Sequence, residues 1–166
     1  MKTLLLITGI LMGMVTKDQP KIDTVRSLFY QAAKDKTSAK KFLNALSVVD
    51  NNSSPVLVCY KGVAEMMQAK HVLSPFSKLQ KFKTGKTLIE KSIKRDPNDL
   101  ELRFLRFSIQ SNLPEFLGYD QAISADKVKL INGYSSIKDD ELRQCVVNYL
   151  TASKYCTVAE LKKIKR

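Results

Sequence analysis

Six side chains near the middle of the chain carry its most suggestive chemistry: Lys83, Lys91, Lys94, Arg103, Arg106 and Gln110. Arg103, Arg106 and Gln110 recur at i, i+3 and i+7, so they share one face of a helix. The lysines crowd the stretch before it. There Lys78, Lys81, Lys83, Lys86, Lys91, Lys94 and Arg95 meet a single internal acid, Glu90. A guanidinium fork binds both oxygens of a carboxylate, so this face suits an extended acidic ligand. The plainer alternative is a solvated surface whose cations pair with Asp99, Glu101 or Glu115. Exposed arginines contribute little to folding. The double reversal Arg103→Glu/Arg106→Glu is therefore expected to change stability by less than about 1 kcal/mol.

Other groupings carry less. Thr84-Gly-Lys-Thr87 has the ending of a phosphate loop, but Gln80 stands where the earlier glycine is needed and no strand precedes it. His71 is the single histidine, which rules out a multi-histidine metal site. A Cys59–His71 nucleophile pair is conceivable, yet an exposed histidine closing a helix is the simpler reading. Asp139-Asp140-Glu141 fits the first turn of a helix, where acids complement the dipole. No catalytic residue, cofactor or metal is expected, and an enzyme is not.

These residues need a frame. A chain of 166 residues, 44% hydrophobic and 27% charged, suits one soluble domain with a real core. The absence of Trp, with only 6 Gly and 5 Pro, favours helices over a turn-rich β fold. A net charge of +12 favours anionic partners. Met1-Lys2-Thr3 followed by the uncharged run 4–15 has the pattern of a secretory signal too short to span a bilayer. Residues 1–16 are read as that signal and 17–166 as the exported domain, periplasmic or extracellular. Cys59, Cys145 and Cys156 form an odd set; buried free thiols are expected, with a Cys145–Cys156 pairing left open.

Apolar residues at helical spacing give eight helices and no strand. The first covers about 22–35, and the second starts at Thr37 or Ser38. Ser54-Pro55 and Ser74-Pro75 open the third and fourth, with Ser as cap and Pro at the first helical position. Leu79, Phe82, Ile89 and Ile93 should face inward from the fourth, with Gly85 among them to admit a neighbouring backbone. Pro97 ends that helix near Arg95. Asn98 is expected to cap the fifth, with Glu101 completing a capping box. The sixth covers 120–132, closed by a left-handed Gly133. Asp139 caps the seventh, and Thr157-Val-Ala-Glu160 boxes the eighth.

Gly85, Ile89, Ser92 and Asp96-Pro97-Asn98 resemble the second half of a tetratricopeptide repeat (TPR), and Tyr60-Lys-Gly62 resembles part of the first. Residues 69–77 lengthen the hairpin beyond the standard repeat. The leader, the Leu-Arg-Phe-Leu-Arg-Phe run and the Pro-Glu-Phe-Leu-Gly-Tyr link are also similar to those of small exported bacterial helical proteins. The resemblance implies an all-α, TPR-like right-handed array of stacked antiparallel hairpins, and a protein-interaction role by analogy. The expected function is binding of an acidic protein segment through the 78–110 face. Anionic lipid on the lysine-rich face is the alternative. Nucleic acid is disfavoured, because the aromatics lie on core faces.

Overall fold

The computed structural model describes residues 18–164; the signal read in residues 1–16 lies outside them. Among the described residues the chain is all helical: α1 (Ile22–Ala32), α2 (Lys36–Ala45), α3 (Pro55–Gln68), α4 (Pro75–Arg95), α5 (Leu100–Gln110), α6 (Ile123–Gly133), α7 (Asp140–Ala152) and α8 (Val158–Ile164). Short 3-10 turns lie at Ala69–His71, Glu115–Leu117 and Tyr134–Ser136.

Local chemistry sets most boundaries. Asp35 accepts the Ser38 amide at 2.8 Å, so the first helix stops at Ala32 and the acid caps α2 instead of extending α1. Pro55 and Pro75 sit in the first turns of α3 and α4. Thr157 and Glu160 exchange hydrogen bonds in the expected capping box. At the 96–99 corner the cap moves by one residue. Asp96 accepts the amides of Asn98 and Asp99, and Asp99, not Asn98, accepts those of Glu101 (2.7 Å) and Leu102 (3.1 Å). The Glu101 carboxylate is drawn inward to Arg26 and Tyr60, so no capping box forms there. Gly133 has φ −112° and is not left-handed; a Cβ there would sit 2.9 Å from the end of the Leu100 side chain, which lies over it. The left-handed glycine is Gly118, with φ 57°.

Consecutive helices pack as α1 on α2, α3 on α4 and α5 on α6. The α3–α4 pair is the closest: a Cβ on Gly85 would meet the Gly62 carbonyl oxygen at 2.5 Å, so the backbones touch where the bare glycine in the sequence suggested. Helix α5 is central. Every residue from Glu101 to Ser108 is buried, because α3, α4, α6 and α7 all contact α5. Phe29, Phe42 and Tyr60 form an aromatic cluster on one side, and Tyr149 meets the edges of Phe104 and Phe107 on the other. Cys59 is buried, Cys145 and Cys156 are half-buried, and all three are free.

Candidate functional site

Helix α5 has no solvent face on which to present a ligand. Arg103 is 9% exposed, Arg106 7% and Gln110 2%, which corrects their assignment to an open binding face. The donors of both arginines are already engaged, while the buried Gln110 Oε1 has no partner. Arg103 gives Nη1 to Asp126 (3.0 Å) and Nε and Nη2 to the Pro97 carbonyl. Arg106 gives Nε and Nη2 to the two Asp126 oxygens, at 2.7 and 2.9 Å, and Nη1 to Glu90 at 2.7 Å. Asp126 is fully buried, and the Tyr119 hydroxyl donates to the other Glu90 oxygen at 2.6 Å. Two guanidiniums face two carboxylates, so the cluster is neutral and ties α4, α5, α6 and the 96–99 corner together. Burial works against the charge on Arg106, but Asp126 and Glu90 overcome it and raise its pKa.

A second tie crosses the opposite side of α5. Arg26 of α1 holds Glu101 through two bonds of 2.7 Å and reaches Asp139, the cap of α7, at 2.5 Å. The Tyr60 hydroxyl donates to Glu101 at 2.7 Å. The hydrogen bond to Glu101 raises the Arg26 pKa; burial, with Glu101 beside it, pushes the Tyr60 phenol well up. Asp139 is held below the usual carboxylate range, first by the Leu142 amide and then by Arg26. Four helices (α1, α3, α5 and, through its cap, α7) thus converge on the Arg26–Glu101 pair.

The lysines behave differently. Lys83, Lys91 and Lys94 are exposed on α4, and only Lys91 finds a side-chain partner, Asn51 at 2.9 Å. The first half of α4 is unlike the second: none of residues 75–84 is buried, whereas Gly85, Ile89, Ser92 and Ile93 are. Helix α4 has 21 residues against 14 in α3, and with the crossing at Gly62 and Gly85 its first turn, roughly 6 Å at 1.5 Å per residue, runs past the end of α3. Leu79, expected inward, is 44% exposed at the level where α3 ends. Leu73 and Phe76, at 96% and 76%, stand out further. Lys70, Lys78 and Lys83 are the exposed cations around them. The sequence signal was available in Leu73-Ser-Pro-Phe76, two large apolar residues flanking a helix start.

Thr84-Gly-Lys-Thr87 lies within α4, where helical geometry offers no loop of free amides. His71 closes the 3-10 turn after α3, half-buried instead of fully exposed. No cluster of three metal-ligating side chains occurs among the described residues, and no described helix is long and apolar enough to cross a membrane. The chain matches no family model, no characterised protein and no solved structure.

Proposed function

We propose that this protein is a helical binding module that docks on an anionic membrane surface through the first half of α4 and the turn before it. The observation that carries this is the outward stance of Leu73, Phe76 and Leu79 among lysines. Water-exposed Leu and Phe lose free energy only by burial elsewhere, and cations beside them select an anionic interface. Burying Leu73 and Phe76 at about 1.5 kcal/mol each, with about 1 kcal/mol from each of three lysines, supports association in the tens of micromolar. Export, read from the pattern of residues 1–16, would set this surface against an envelope leaflet.

Capture of an acidic protein segment is the second reading, favoured by the exposure of Lys83, Lys91 and Lys94 along one helix. It has lost Arg103, Arg106 and Gln110 as contacts. We further propose that α3–α4 is a TPR-type hairpin, supported by the Gly62–Gly85 approach at its crossing.

Vesicle flotation tests the membrane reading. The chain should float with vesicles containing phosphatidylglycerol and not with phosphatidylcholine alone, and should be released as salt rises. Leu73→Asp/Phe76→Asp should abolish flotation. Failure to float, or equal flotation with neutral vesicles, would overturn it; salt-sensitive binding to polyglutamate in the absence of flotation would point to the protein partner.

A further inference from the structure

A cavity of about 340 Å³ opens between α1, the end of α3, α5 and α7. Its wall is apolar, built from Phe29, Met66, Met67, Phe104 and Ile109. The two methionines can adjust to the shape of a flexible ligand. Most polar groups in the wall are already bonded within the protein. The Ser108 hydroxyl donates to the Leu105 carbonyl at 2.8 Å, Asn112 donates to the Ser108 carbonyl at 2.8 Å, and Tyr149 donates to the same carbonyl at 3.1 Å.

Two donors are not spent. The Tyr30 hydroxyl is buried without a nitrogen or oxygen acceptor; the hydrogen-bonding group beside it is the Cys145 thiol, a weak acceptor. A buried hydroxyl left so costs roughly 1–3 kcal/mol unless something in the cavity accepts from it. Burial also raises its pKa, so it stays a neutral donor at physiological pH. Lys70 is exposed at the rim and forms no ion pair among the described residues.

An apolar wall, a cation at the mouth and an unspent donor inside together describe the ligand. We infer that this cavity binds an apolar monocarboxylate, its chain against Met66, Phe104 and Ile109 and its carboxylate taking both the Lys70 ammonium and the Tyr30 hydroxyl. A methylene fills about the space of a water molecule in the liquid, roughly 30 Å³, so a chain of about eight to ten carbons fits.

Titration calorimetry of the full chain with three probes tests this. Decanoate should bind saturably at one site, decanol about fivefold more weakly, and decyltrimethylammonium not at all. Lys70→Ala should bring decanoate down to the decanol level without moving decanol. Tyr30→Phe should weaken both, and Ile109→Trp, which fills the cavity, should remove both. Leu73→Asp/Phe76→Asp should leave decanoate binding intact, which separates this site from the membrane surface. Absence of saturable decanoate binding, or equal binding of the cationic probe, would overturn the inference. So would affinity unmoved by both Lys70→Ala and Tyr30→Phe, two substitutions small enough to keep the fold if Ile109→Trp does not.

Discussion

Helices α4 and α5 are neighbours, and both carry several basic side chains, but the fold uses them in opposite ways. On α5, Arg103 and Arg106 point into the protein and meet Asp126 and Glu90. On the first half of α4, Lys78 and Lys83 are exposed alongside Phe76 and Leu79, with Leu73 exposed just before the helix, while Lys81 pairs with Glu65. The difference lies in how many helices surround each one. Four neighbours leave α5 no water-facing side, so its charges must be neutralised inside. The start of α4 runs past the end of α3 and meets only the short turn at 69–71, so Leu73 and Phe76 stay out with its charges. A basic helix is thus a binding surface or a structural tie according to what covers it.

Asp126→Ala breaks that contrast most severely. It leaves two buried guanidiniums short of their main acceptor and should cost about 3–5 kcal/mol in urea unfolding. Replacing Arg103, Arg106 and Asp126 together by Met, Met and Leu should instead be nearly neutral, since Glu90 is partly exposed, which would identify the penalty as uncompensated charge. Gly85→Ala is next, at about 1–3 kcal/mol, because the new Cβ meets Met66 Cγ at 2.4 Å and the Gly62 oxygen at 2.5 Å. In an exposed helix the same change would stabilise by nearly 1 kcal/mol; the clash wins here, and the urea midpoint gives the sign. Tyr60→Phe should cost about 1.5 kcal/mol, since Glu101 loses one charge-assisted bond but keeps Arg26.

A smaller effect is expected at the far end. Lys127, then the Thr157 amide, hold the Glu160 carboxyl down at about 2, from an ordinary 4.5. A depressed carboxylate stabilises fully above its unfolded value and ceases to do so as pH falls through the folded one. The attachment of α8 to Lys127 should therefore weaken between pH 4.5 and 2, visible as α8 amide shifts in NMR while the rest of the chain stays folded.

Much of the fold was legible in the sequence because it rests on short-range chemistry. The Ser-Pro starts of α3 and α4, the Asp139 cap and the Thr157–Glu160 box are each written within four residues. Gly85 was legible too, as a bare position inside an apolar arc. What failed was everything set by distant partners. Glu101 looked like a capping residue, but Arg26 lies 75 positions away in the chain. Arg103 and Arg106 looked like an open face, although the two apolar sides of α5, Leu102/Leu105/Ile109 and Phe104/Phe107, already left little room for one. That double patterning was the sign that the arginines would be enclosed, and Asp126 the acid that makes enclosure tolerable. Leu79 failed the other way: periodicity gave it an inner face, but α3 ends at its level and leaves it 44% exposed.

The contrast between the two helices can be measured directly by making the same charge change in both. Arg103→Glu/Arg106→Glu and Lys83→Glu/Lys94→Glu each turn two cations into two anions, and urea unfolding compares them on one scale. On α5 the reversal sets new carboxylates against buried Asp126 and should cost at least about 4 kcal/mol or prevent folding altogether. On α4 it should cost less than about 1 kcal/mol. Equal, small losses in both variants would contradict the account, because α5 would then hold its arginines in solvent.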